Sequence, residues 1–127
     1  MTGIEPTKTA LQSQDGASTE IKFQRAVALH QRGQLAQAET LCREALALRG
    51  DQFDILHMLG VIAAQRGNPE GAIELIDRAL KIRPDSVEAL SNRGVALAEL
   101  GRHDEALASY ERALQLRPHH VEALNNR

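Results

Sequence analysis

Apolar residues recur along this chain at three- and four-residue steps, in short blocks separated by glycine, asparagine and proline. From Phe53 to Arg66 they fall at Leu56, Leu59, Ile62 and Ala63, and from Pro69 to Ile82 at Ala72, Leu75, Ile76, Ala79 and Leu80. That spacing gathers them on one face of a helix, so it predicts two amphipathic helices rather than strands. The residues between the blocks suit a tight helix–helix turn. Gly67 fits the left-handed position after a helix, Asn68 can cap the next helix and Pro69 fits its first turn. Pro84 ends the second helix, and Asp85 or Ser86 can cap the one that follows, with Glu88 completing a capping box if Asp85 is the cap.

The same pattern returns every 34 residues. Gly33, Gly67 and Gly101 keep that step, as do Ala38, Ala72 and Ala106, Ala45, Ala79 and Ala113, and Leu46, Leu80 and Leu114. Val27, Val61 and Val95 form another column, Gly60 matches Gly94, and Pro84 matches Pro118. An internal repeat of this length is the mark of stacked helical units. The units fall at 19–52, 53–86 and 87–120, with a fourth begun at 121–127. Gly60, Ala72 and Ala79 have little bulk and let paired helices approach, while Leu56, Leu59, Ile76 and Leu80 fill the space around them. One such pair cannot bury its apolar face alone, so stability comes from stacking neighbours.

These residues resemble the tetratricopeptide repeat family. The second unit carries its pattern in Leu56, Leu59-Gly60, Gly67, Ala72, Ala79 and Pro84, and the third in Leu90, Gly94, Leu97, Gly101, Ala106, Tyr110, Ala113 and Pro118. The first departs from it: Lys22 replaces a large apolar residue, Ala26 the glycine, Cys42 the aromatic and Gly50 the proline. The resemblance covers about residues 19–127 and implies an all-α fold, a right-handed α-solenoid of antiparallel helix pairs. It also implies a concave groove on the first helices that takes an extended peptide or partner segment. Carried onto this sequence, the groove is lined by Phe23, Gln24, Val27 and His30, then His57, Met58, Val61 and Gln65, then Ser91, Asn92, Val95, Glu99, Asn125 and Asn126.

Two columns bear on that surface. Val27, Val61 and Val95 either form an apolar stripe along the groove or pack between neighbouring first helices. Asn92 and Asn126 share a column in which an amide can both donate to and accept from a peptide backbone. Repeats of O-linked N-acetylglucosamine transferases resemble this, although Gln24 and Met58 hold the column in the earlier units. The basic clamp of chaperone-binding relatives has no counterpart here, since the matching columns hold Phe23, Val27, Met58, Glu88 and Asn92. Binding to the acidic tails of Hsp70 or Hsp90 is therefore not expected.

Composition narrows the partners further. Aromatic residues make up only 2% of the chain, so the core is built from Ala, Leu, Ile and Val. Fifteen basic and seventeen acidic residues are interleaved, giving a formal charge of -2 and no field that would gather nucleic acid or an anionic membrane. A single cysteine, Cys42, can form no internal disulfide and suits a reducing compartment, and no stretch reaches the length of a membrane span. A cytoplasmic location is expected. The histidines, including the adjacent His119 and His120, have no zinc-ligand spacing, and the glycines are too scattered for a phosphate loop. Neither an enzymatic activity nor a metal or other cofactor is expected.

Residues 1–18, with Gly3, Pro6, Gly16 and several Ser and Thr, are expected to be a flexible leader. At the other end Asn92-Arg93-Gly94 recurs as Asn126-Arg127, and the chain is expected to be the N-terminal piece of a longer repeat protein, the alternative being a genuinely short protein or a frameshifted reading frame. Three functions fit: a non-catalytic scaffold for a peptide or protein partner, the substrate-docking region of a larger glycosyltransferase-like enzyme, or a self-assembling scaffold. The last would use an open end around Tyr110, Leu114 and Leu124.

Overall fold

The computed structural model describes residues 8–117, which form six α-helices and, among the described residues, no strand. They are α1 (Lys8–Gln31), α2 (Leu35–Arg49), α3 (Phe53–Gln65), α4 (Pro69–Ile82), α5 (Val87–Glu99) and α6 (His103–Leu116). The second helix of each pair starts at Leu35, Pro69 and His103, and α3 and α5 start at Phe53 and Val87, so the 34-residue step of the sequence is also the step of the fold. Successive helices pair as antiparallel hairpins, α1 with α2, α3 with α4 and α5 with α6, and α4 also packs on α5.

Each turn inside a hairpin is made by a glycine in the left-handed region, Gly33, Gly67 and Gly101 at φ 77°, 81° and 77°. A side chain there would be strained even though the space around it is open. Asn68 caps α4 by accepting a hydrogen bond from the Gly71 amide at 3.0 Å, and Pro69 sits in the first turn. Ser86 caps α5, accepting from the Ala89 amide at 3.2 Å. That choice places Glu88 one residue short of the capping-box position, so the box considered with Asp85 does not form.

The chain divides into two units, residues 1–50 and 51–127. In the first, α1 and α2 bury Ala26, Ala38, Cys42 and Ala45 completely, and Lys22 reaches across to Glu44 at 2.8 Å. Here the structure departs from the expected leader: α1 begins at Lys8, so residues 8–18 are helical. Residues 8–18 contain no proline and carry Ala10, Leu11 and Ala17, so only Gly16 among them opposes a helix strongly. Gly16 in this extension faces the end of α2, where a Cβ would lie 2.7 Å from Arg49 Nη1. Residues 1–7 and 118–127 lie outside the described residues, including Pro118, the fourth-unit start and Leu124.

In the second unit, one core joins Ala72, Ile73 and Ile76 of α4 to Ala89, Ala96 and Leu97 of α5 and Ala106 of α6. A second, smaller core joins Val87 and Leu90 to Ala113, with Leu80 against both. The close approach expected at the glycines is present. A Cβ on Gly60 would stand 2.7 Å from Ile76 Cγ1, and one on Gly94 would stand 2.6 Å from the Tyr110 ring. Polar contacts tie the same helices: Arg93 of α5 donates to Asp77 of α4 and to Ser109 of α6, both at 2.7 Å. Before α3, Asp51 accepts two hydrogen bonds from Arg78, whose guanidinium holds the carboxyl below its ordinary range.

Candidate functional site

In the second unit the outer faces of α3 and α5 meet at a cleft of about 270 Å³. Its walls are Val61, Ala64 and Gln65 from α3 and Asn92, Val95 and Glu99 from α5, and Gly60 and Ile76 close its floor. The repeat explains why these side chains converge. Val61 and Val95 occupy one register position and Gln65 and Glu99 another, so two parallel helices present the same face twice. The missing side chain at Gly60 deepens the cleft, and Ile76 shows there from the helix behind. Five of the residues placed in the groove by sequence, Val61, Gln65, Asn92, Val95 and Glu99, thus line one cavity.

The neighbouring positions are more enclosed. His57 and Met58 are half-buried, and His57 Nε2 lies 2.9 Å from Asn92 Nδ2. An amide nitrogen only donates, so Nε2 accepts and His57 is the neutral tautomer with its proton on Nδ1. Burial pushes the imidazole below its ordinary pKa, against the opposing pull of Glu88 and Asp54. The Phe53 ring packs 5.5 Å from the His57 ring, and Arg83 lies over Phe53 at 4.6 Å. Asn92 therefore enters the cleft with one amide N–H already engaged, which fixes its orientation. Ser91 is almost wholly buried, and its hydroxyl finds no hydrogen-bond partner.

Val95 is 44% exposed and Val61 half-buried, so in this unit the valine column opens to solvent. In the first unit Phe23, Val27 and His30 are half-buried, while Gln24 is exposed and donates to Glu20 Oε1 at 3.1 Å. Asn125 and Asn126 lie outside the described residues. Sequence reasoning missed Ala64 and the floor residues Gly60 and Ile76. The signal for the floor was present in the glycine column, which marks where the helix behind shows through.

Little else in the described residues offers chemistry. No group of three or more His, Cys, Asp and Glu side chains is placed to hold a metal ion, and no helix is long and apolar enough to cross a membrane. Cys42 is wholly buried, and desolvation pushes its thiol up to about 11, so it is not a thiolate near neutrality.

Family models of the tetratricopeptide repeat match residues 57–121 and, separately, residues 24–50. The chain belongs to the tetratricopeptide repeat family. No curated protein sequence matches it significantly. Among solved structures it is similar to MamA, with a TM-score of 0.76 and 24% identity, over 83% of this chain and 61% of that one. It is similar to the second repeat domain of Spaghetti bound to an HSP90 peptide, with a TM-score of 0.79 and 19% identity, over 84% and 97% of the two chains. An O-GlcNAc transferase mutant of Thermobaculum terrenum matches with a TM-score of 0.78 and 26% identity, over 90% of this chain and 21% of the enzyme. The chain thus spans about three fifths of MamA and about a fifth of the transferase.

Proposed function

We propose that this repeat protein is a non-catalytic cytoplasmic scaffold that holds an extended segment of a partner protein against the faces of α3 and α5. The observation that carries this reading is the cleft lined by Val61, Asn92 and Val95 over Gly60 and Ile76. It offers an apolar seat for one aliphatic side chain and an oriented amide for the backbone beside it. Glu99 lines the cleft, and Asp54 and Glu88 act on the adjacent His57, so the ligand is a neutral or basic segment rather than an acidic tail. Preformed helices keep the ordering cost on the protein side small.

The test is fluorescence anisotropy with a library of short extended peptides that vary one aliphatic position and net charge. Val95→Asp should weaken the best peptide by about tenfold or more, and Asn92→Ala by less, with helical melts near wild type. Equal binding by wild type and Val95→Asp would remove the cleft from the recognition surface. The likeness to the Thermobaculum terrenum transferase favours a second reading, in which the same face docks substrates for a larger enzyme.

A further inference from the structure

His57 and Asn92 stand 35 residues apart, one more than the repeat step, so their contact crosses from α3 to α5. Asn92 lines the cleft, and His57 stands behind it, outside the lining residues. The imidazole Nε2 takes one amide hydrogen of Asn92 at 2.9 Å, and the Asn92 carbonyl Oδ1 is no part of that bond. A side-chain amide turns as a rigid plate, with an acceptor on one edge and two donors on the other. Whichever edge faces the ring, the opposite edge faces away. The protonation state of His57 therefore decides what Asn92 offers a ligand.

With its proton on Nδ1, the neutral ring has an acceptor at Nε2, and the NH2 edge of Asn92 satisfies it. Oδ1 is then the group left over, and its complement in a ligand is a donor, such as a backbone N–H. A protonated ring carries hydrogen on both nitrogens, so two donors would meet. The amide relieves this by turning over, which commits Oδ1 to the ring and leaves both N–H groups for an acceptor. Desolvation disfavours the charged ring and outweighs Glu88 on α5 and Asp54 on α3, which favour it. Arg83, after α4, adds a positive charge over the Phe53 ring that packs on His57. Near neutrality the ring is therefore uncharged. One unit earlier Phe23 holds the register position of His57 and has no nitrogen to offer.

We propose that His57 is a positioning residue for recognition in the cleft: it holds the Asn92 amide so that Oδ1 accepts an N–H from the backbone of the bound segment, and protonation reverses that preference. This rests on the cleft being the recognition surface. It adds a chemical requirement for the ligand, a backbone N–H beside the seated aliphatic side chain.

Two measurements on the full chain test it, and the first needs no ligand. In NMR spectra recorded from about pH 8 to about pH 5, the Asn92 side-chain amide signals should move with the same midpoint as the His57 ring, and stay still in His57→Gln. The second compares the best peptide with ester analogues, in which each backbone N–H next to the seated residue is replaced in turn by oxygen. At about pH 7.5 one such ester should bind the wild type about tenfold more weakly than the peptide does. His57→Phe should bind the two nearly alike. His57→Gln, whose carbonyl can accept from Asn92, should restore the discrimination and keep it on acidification. An Asn92 amide that does not follow the ring overturns the proposal, and so does an ester penalty equal in wild type and His57→Phe. If that penalty is equal while Val95→Asp still weakens the peptide, the role of His57 falls and the cleft stands. Unchanged binding in Val95→Asp removes both.

Discussion

In the second unit each hairpin crosses at a glycine that faces a large side chain, Gly60 beneath Ile76 and Gly94 beneath Tyr110. In the first unit the same register positions hold Ala26 and Cys42, both wholly buried. The methyl gained on the first helix is matched by a smaller residue on the second. Volume at the crossing is therefore shared between the two helices, and either can supply it. The exchange has a local consequence as well. A helix interior favours Ala over Gly by about 1 kcal/mol, so α1 gains in intrinsic propensity while the first hairpin buries a smaller side chain at its crossing. This also accounts for Cys42, which fills a small, wholly buried site.

The sharpest way to break this comparison is to give the first unit the aromatic of the third. Cys42→Tyr should overpack against Ala26 and destabilise the protein by about 3 kcal/mol, read as a fall in the urea midpoint. Gly94→Ala brings the mismatch the other way, a methyl against the Tyr110 ring. Its cost should be about 1–2 kcal/mol, reduced by the better helix propensity of alanine. Adding Tyr110→Cys to Gly94→Ala rebuilds the pair found in the first unit. A double-mutant cycle should then show the two changes costing less together than their sum, by about 1 kcal/mol. Strict additivity would mean that the two positions do not share volume.

The smallest effect expected is electrostatic, and it belongs to the second unit alone, because Phe23 occupies the register position of His57 in the first. Burial lowers the folded pKa of His57 below that of the unfolded imidazole. As pH falls through the ordinary histidine value of 6.5, the unfolded chain takes up a proton that the folded chain resists, so stability declines and then levels off below the folded pKa. Urea midpoints at successive pH values should decline on acidification in the wild type and decline less in His57→Gln.

What the sequence made legible was whatever depends on neighbours along the chain. The turns at Gly67, Asn68 and Pro69 bound the helices where the spacing predicts, because a left-handed glycine, an amide cap and a fixed φ act within a few residues. The close approach of Gly60 to Ile76 was legible too, because it repeats. Contacts between hairpins were not. The His57–Asn92 bond and the bridge from Arg93 to Asp77 depend on how one helix pair lies on the next, and no single repeat encodes that. The helical course of residues 8–18 was missed because polar composition was read as irregular structure, although only Gly16 opposes a helix strongly there. At the candidate site, the walls followed from periodicity, whereas Ala64 and the enclosure of Ser91 required coordinates.

The helices pack mainly on partners adjacent in the chain, α1 on α2, α3 on α4, α4 on α5 and α5 on α6. Almost no stabilising contact has to wait for a distant stretch of polypeptide. Such a chain closes only short loops on its way to the native state, which places it among rapid folders. During synthesis each hairpin can assemble once its second helix has emerged, before the next is made. Order of appearance from the ribosome and order of folding can then coincide, leaving little time for apolar faces to meet the wrong neighbour.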